Sequence, residues 1–353
     1  MLAAVIHGAR DVRAEDRPDP LLRTDDDAVL RVVAACVCGS DLWPYRGVTA
    51  TQEPHPIGHE LVGVVEQLGA NVTSAQVGDL VIVPFSLSCG TCQSCRAGFP
   101  AACDQVTFFG STDRQGHPVD GAQGERVRIP LAQHSLFPVG LSEAVVEERG
   151  LVPHLLALAD VMSTGLHAAT SANVKPDDVV AVVGDGAVGL SAVIAADLLG
   201  AQRIIAMSRH EDRAALARRF GATDVVAERG QDAPDAIRAL LGGDLADVAL
   251  ECVGTAESMA QAMSVVRGGG RVGFVGVPNG GAQLPIRTVF GRNLTVGGGM
   301  ASARRYMEEL LPDVLDGTIT PGDVFDLTLP LSEIAQAYAA MDERRAIKVL
   351  VRP

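Results

Sequence analysis

Val179-Val180-Ala181-Val182-Val183-Gly184-Asp185-Gly186-Ala187-Val188-Gly189 decides the fold of this chain. Five apolar, mostly β-branched residues predict a strand buried on both faces. The run then breaks into Gly-x-Gly-x-x-Gly, and Leu190 to Leu199 continues as an Ala-rich helix. Strand, glycine turn and helix in that order form a dinucleotide-binding fingerprint. Gly184 permits the tight turn, Gly186 lets the backbone approach a pyrophosphate, and Gly189 lets the helix pack on the strand. The helix N-terminus then faces the phosphates with its partial positive charge, and Ala187 and Val188 of the turn are further cofactor-binding candidates. Without the flanking strand and helix, the same glycines would read as an ordinary turn.

Downstream, strands and helices alternate. Strands are predicted at Arg203–Met207, Asp224–Ala227, Asp247–Val253, Gly270–Val277 and Leu294–Gly297. Between them lie helical patterns at Glu211–Phe220, Ala233–Leu241 and Ala256–Val266. This alternation implies right-handed crossovers and a parallel, doubly wound sheet, so the fold class is α/β. Gly254, Gly276 and Gly297 fall at the C-terminal ends of strands, where such sheets bind ligands.

Upstream the pattern changes. Val29–Ala34, Leu61–Val65 and Val77–Pro84 are short β-branched runs, the last headed by a Gly-Asp turn. Their spacing suggests a small irregular β-barrel. Leu155 to Ala169 reads as one helix crossing between the two parts. Ala346–Val351 reads as a final strand returning to the first part.

Composition narrows the function. With 353 residues, 47% hydrophobic and 20% charged, two globular domains are expected. The formal charge of -14 argues against nucleic acid or an anionic membrane as partner. The start of the chain lacks the pattern of a signal peptide, and no apolar run is long enough to span a bilayer. A cytoplasmic protein is expected, and its seven cysteines then need a role other than disulfides.

Cys89, Cys92, Cys95 and Cys103 can converge on one tetrahedral zinc ion. A Cys₄ site has no open position, so its role would be structural; an iron–sulfur cluster or redox thiols are the alternatives. A second group is scattered. Cys38-Gly39-Ser40-Asp41 follows one strand and Gly58-His59-Glu60 precedes another. Singly, Cys38 reads as a small buried residue and His59 as a core histidine. Together they offer two zinc ligands, each beside an acid. A catalytic zinc needs three protein ligands and an open position, and spacing does not identify the third. Asp160 sits in an apolar run, either as a helix-surface carboxylate or as a metal ligand.

These motifs, in this order, resemble the zinc-dependent alcohol dehydrogenase family of the medium-chain dehydrogenase/reductase superfamily. The resemblance covers nearly the whole chain. It implies a GroES-like β-barrel catalytic domain over 1–160 and 299–353, carrying a structural zinc lobe at about 89–103, and a Rossmann domain over 161–298. It assigns a catalytic zinc to Cys38, His59 and Asp160, with Glu60 approaching during ligand exchange and Asp41 orienting the histidine. Zinc then polarises an alcohol or carbonyl oxygen while hydride passes to or from a nicotinamide. Ser40 matches the hydroxyl that passes the proton. Trp43 stands where many members have a relay histidine, so the proton leaves by another route. Thr164, Val253, Val275 and Val277 match contacts to the nicotinamide. Lys348 matches a basic residue near the cofactor phosphates, or is a solvated surface lysine.

Two zinc ions per chain and NADP(H) rather than NAD(H) are expected. The position that carries an acid in NAD-binding members is Ser208, followed by Arg209, with Arg213 one turn into the next helix. A hydroxyl and two guanidinium groups suit a 2′-phosphate; the alternative is that Arg209 and Arg213 are solvated helix-end residues and either cofactor is taken. The partners expected are a small alcohol or carbonyl substrate and further copies of the chain, as a tetramer rather than a dimer. The other enzymatic readings are a glutathione-independent formaldehyde dehydrogenase or dismutase, or a polyol dehydrogenase, of the same superfamily. Outside enzymes, the alternative is a catalytically silent nucleotide-binding protein, against which intact Cys38, Ser40, His59 and Asp160 argue.

Overall fold

A computed structural model of the protein describes residues 1–51, 53–278, 281 and 283–353. The chain divides into one unit of Met1–Asp160 with Ser302–Pro353 and another of Val161–Ala301.

The first unit is built on a seven-stranded sheet. Its centre is Ala28–Cys36, paired antiparallel with Leu61–Leu68 on one side and with Lys348–Arg352 on the other. The last strand of the chain thus returns to the first unit, as its apolar pattern implies. Leu30, Leu61, Val81, Val83, Val127 and Ile129 form one fully buried aliphatic cluster. Each such side chain contributes roughly 1.5–3 kcal/mol by leaving water. A second cluster joins Ile6, Val37, Ile57, Tyr338 and Val349.

The second unit carries a six-stranded parallel sheet. Its spatial order is Asp224–Val226, Arg203–Met207, Val179–Val183, Ala246–Glu251, Val266–Phe274, Thr295–Gly298. The chain order reverses beside Val179–Val183, which places the glycine turn at the switch point where doubly wound sheets bind nucleotides.

Among the predicted elements that differ in extent, three show why. The strand expected from Val77 begins at Leu80; Val77 is exposed, Gly78 has φ +97°, and the Asp79 carboxylate caps the Gln76 amide, forming a turn. The strand expected from Gly270 to Val277 runs instead from Val266 to Phe274. It starts early across a register shift at its glycines, and ends where the Val275 and Gly276 amides both turn to the Glu251 carbonyl. The helix expected from Leu155 to Ala169 is two helices, Val152–Leu158 and Val161–Ser171. The Ala159 carbonyl between them accepts from the Phe85 amide. Asp160 therefore occupies a break rather than a helix face. Among the described residues no helix is long and apolar enough to cross a membrane.

Candidate active site

Cys38 follows strand Ala28–Cys36, and His59 and Glu60 precede strand Leu61–Leu68. Because Ala35 pairs with Leu61, both segments emerge at the same end of the sheet. Asp160 reaches them from the break between the two helices. One ligand atom from each of Cys38, His59, Glu60 and Asp160 lies within 4.8 Å of every other. The Asp160 carboxylate is 3.4 Å from Cys38 Sγ and 3.6 Å from His59 Nε2.

The group is held from behind. Asp41 lies 3.2 Å from His59 Nδ1, which leaves Nε2 facing the cluster. The other Asp41 oxygen accepts from the Cys38 amide at 2.9 Å and from the Gln123 amide nitrogen at 3.3 Å. Gln123 in turn donates to the Cys36 carbonyl and accepts from the buried Tyr338 hydroxyl. Gly58, at φ +95°, leaves room for Gln123, because a Cβ there would lie 2.4 Å from its side chain. Ser40 Oγ stands 3.5 Å from His59 Nε2, and His59 is the least buried of the four residues. Trp43, in the short helix Leu42–Tyr45, stacks under the Arg46 guanidinium.

The electrostatics call for a cation. Burial, with the Asp160 carboxylate next, pushes the Cys38 thiol above its ordinary value. Burial alone would make His59 less basic; the negative charges of Asp41 and Cys38 outweigh it and carry its pKa well above the usual range. A proton on imidazole is thus drawn in by surplus negative charge. A divalent ion on Nε2 would answer the same surplus. Glu60 Oε2 is buried without a hydrogen-bond partner, one more oxygen open to such an ion. Thiolate, imidazole and carboxylate are the donors zinc takes, so the residues fit it.

Lys348 is not the solvated surface lysine of the alternative reading. It is 1% exposed, and its ammonium lies 2.7 Å from Glu60 Oε1 and 3.3 Å from the Val37 carbonyl. It is a buried counter-charge beside the cluster. Lys348, Gln123 and Tyr338 join the site only through the fold.

The cysteine lobe lies in the same unit. Cys89, Cys92, Cys95 and Cys103 bring their sulfurs within 4.8 Å of one another. Cys103 Sγ is 3.5 Å from Cys89 Sγ and 3.9 Å from Cys92 Sγ. Four sulfurs at about 2.3 Å from a tetrahedral ion stand about 3.8 Å apart, so the lobe fits zinc. Burial opposes ionisation of Cys89. Hydrogen bonds from the Thr91 hydroxyl and the Thr91 and Cys92 amides outweigh it and lower the thiol to about 6.

In the second unit, the turn after Val179–Val183 has Gly184 at φ +120° and Gly186 as N-cap of helix Ala187–Leu198. Val188 lies in the first turn of that helix. A Cβ on Gly189 would lie 1.9 Å from the Gly184 carbonyl oxygen, so only glycine fits. The Gly186 side is open, the room a pyrophosphate needs. Ser208 follows strand Arg203–Met207 and Arg213 lies in helix Glu211–Arg219. Ser208 donates to Asp185 of the glycine turn at 2.8 Å, and Arg213 reaches the same carboxylate at 3.4 Å. Arg209 is exposed. Val253, Val275 and Val277 follow the C-terminal ends of strands Ala246–Glu251 and Val266–Phe274; Thr164 is buried on helix Val161–Ser171.

Residues 24–139 match the alcohol dehydrogenase GroES-like domain, and residues 187–316 match the zinc-binding dehydrogenase domain. The chain is 35% identical to the probable zinc-binding alcohol dehydrogenase of Mycobacterium tuberculosis, over 100% of this chain and 89% of that protein. Among solved structures it resembles the alcohol dehydrogenase TADH of Thermus sp. ATN1, with TM-score 0.88 and 32% identity over 100% of this chain and 99% of that one. A zinc-binding dehydrogenase of Sinorhizobium meliloti 1021 bound to NADP superposes with TM-score 0.81 at 26% identity, covering 100% and 99%.

Proposed function

The chain belongs to the zinc-dependent alcohol dehydrogenase family of medium-chain dehydrogenases, and from that premise we propose that it transfers a hydride between a small alcohol, or its aldehyde or ketone, and NADP(H). The observation that carries this reading is the convergence of Cys38, His59, Glu60 and Asp160 within 4.8 Å. Cys38, His59 Nε2 and Asp160 hold the catalytic zinc, and Cys89, Cys92, Cys95 and Cys103 hold a structural one. Bound zinc supplies Lewis-acid polarisation of the alcohol or carbonyl oxygen, and bound nicotinamide accepts or returns the hydride.

The side chains do the rest. One thiolate and one carboxylate balance the charge of a divalent ion, because Lys348 neutralises Glu60. Asp41 fixes the His59 ring through Nδ1 and keeps Nε2 on the ligand side. Ser40 takes the proton from the substrate hydroxyl. It is half-buried, and with Trp43 in place of a relay histidine it hands that proton to water. Gly184, Gly186, Ala187, Val188 and Gly189 seat the pyrophosphate. Thr164, Val253, Val275 and Val277 border the nicotinamide. Ser208, Arg209 and Arg213 take the 2′-phosphate. The protein works in the cytoplasm as a homo-oligomer, a tetramer rather than a dimer.

The test combines metal content with turnover. Wild type should carry two zinc ions per chain and oxidise members of a broad alcohol panel with NADP⁺. Asp160→Asn should lose the second zinc and most turnover while keeping its circular dichroism. Full turnover from protein verified to hold only the structural zinc would overturn the proposal.

A further inference from the structure

Ser208 stands where dinucleotide-binding folds that take NAD carry an acid, yet the corner around it is not free of negative charge. Val183 pairs with Met207 in the parallel sheet, so the turn after one strand lies beside the turn after the next. That register brings Asp185, in the middle of the glycine turn, against Ser208. Its Oδ2 accepts from Ser208 Oγ at 2.8 Å; its Oδ1 lies 3.4 Å from Arg213 Nη1, which also approaches the Asp185 carbonyl at 3.3 Å. The Asp185 and Arg213 side chains are 14% and 12% exposed, and Ser208 is buried. The acid missing from the second strand is supplied by the first turn.

The corner therefore combines two opposed chemistries. A carboxylate accepts a hydrogen bond from a ribose 2′-hydroxyl and repels a 2′-phosphate. Guanidinium groups attract that phosphate in a forked geometry. With Asp185 on Arg213, a 2′-phosphate must share the arginine with a carboxylate already bonded to it. Specificity is the difference of two affinities, and a repulsive group sets it as effectively as an attractive one.

We propose that Asp185 is a specificity-determining residue for the cofactor. Its carboxylate serves the adenosine ribose hydroxyl of NAD(H) and weakens the hold of Arg209 and Arg213 on the 2′-phosphate of NADP(H), so the corner accepts both. The inference rests on the reading of this corner as the adenosine ribose subsite.

The test uses half-cofactors, which need neither substrate nor hydride transfer. Adenosine 2′,5′-bisphosphate and 5′-AMP are titrated calorimetrically into zinc-loaded wild type, Asp185→Asn and the double variant Arg209→Gln/Arg213→Gln. Asparagine keeps an acceptor for Ser208 and removes the charge, with its NH2 in place of the oxygen that faces Arg213; Asp185→Ser is the second variant should the amide disturb the turn. The bisphosphate should bind Asp185→Asn at least ten-fold more tightly than wild type, and 5′-AMP several-fold more weakly. An unchanged ratio in both Asp185 variants, with the double arginine variant losing bisphosphate affinity, overturns the role of Asp185 and leaves the subsite standing. A double arginine variant that binds the bisphosphate as wild type does overturns the subsite reading, and this inference with it.

Discussion

Lys348 donates to Glu60 across 2.7 Å, with side-chain exposures of 1% and 0%. Burial raises the Glu60 pKa, and Lys348 opposes that shift without cancelling it; Lys348 is held well above its ordinary value, with burial opposing and first Cys36, then Glu60, favouring its charge. The pair holds Glu60 beside the metal cluster through Oε1 and leaves Oε2 without a hydrogen-bond partner. Removing one partner of such a pair costs about 3–5 kcal/mol, because the other is left charged and buried. Lys348→Met should be destabilised by that amount in urea unfolding, and Lys348→Met/Glu60→Gln should recover most of it. Adenosine 2′,5′-bisphosphate affinity should stay unchanged in Lys348→Met. A loss of that affinity without loss of stability would return Lys348 to the phosphates.

The cysteine lobe is expected to act on stability and not on chemistry. In a metallo-domain, binding energy is folding energy. Cys95→Ser should carry one zinc fewer per chain and melt several degrees lower, with KM for the alcohol unchanged. In metal-stripped protein, Cys89 should be alkylated first near neutral pH, since its thiol sits at about 6. Bound zinc should protect it. Unchanged zinc content in Cys95→Ser would remove the assignment.

How much of this was legible in the sequence depended on range. The parallel sheet was, because each strand is a local apolar run and each glycine constraint is local: Gly184 and Gly189 meet each other within one turn. Cys38 and His59 were flagged by residue type, but their convergence needed the resemblance, since Asp160 lies 122 residues from Cys38. The Glu60 partner of Lys348 was not legible, because a lysine in a strand pattern carries no sign of a residue 288 positions away. Gln123 and Tyr338, 215 residues apart, carry no motif at all. Asp185 did leave a signal: an acid inside a phosphate-binding turn, where negative charge is unhelpful.

Acid stability should depend on His154. Its Nδ1 accepts from the Gly322 amide at 3.0 Å, which requires a ring unprotonated at that atom. Burial depresses its pKa below the ordinary value, with Asp323 opposing. The unfolded chain therefore binds the proton more readily. The stability this group contributes is present in full above the unfolded value of about 6.5, and is lost as pH falls from there toward the folded value. His154→Asn keeps an acceptor near the Gly322 amide and cannot titrate. Wild type should lose midpoint denaturant concentration on going from pH 7 to pH 5.5 by more than His154→Asn does. Parallel curves for the two proteins would refute the linkage.

Assembly should run through the far edge of the parallel sheet. Thr295–Gly298 is its last strand, paired only with Val266–Phe274 among the described residues. Beside it, helix Ile286–Gly291 leaves Ile286 65% and Phe290 86% exposed. A large aromatic so exposed next to an unpaired strand edge is the kind of surface that a second copy covers, with a two-fold axis joining identical edges. In a tetramer with two kinds of interface, spoiling this one should leave dimers held by the other. Phe290→Asp places a charge where the partner's apolar face would lie. A central aromatic anchor is worth about 2 kcal/mol or more, roughly 30-fold in affinity. Wild type should therefore scatter light as a tetramer and Phe290→Asp at half that mass, with unchanged circular dichroism because Phe290 is exposed in the single chain. A monomeric wild type, or a variant with the wild-type mass, would show that these edges do not meet.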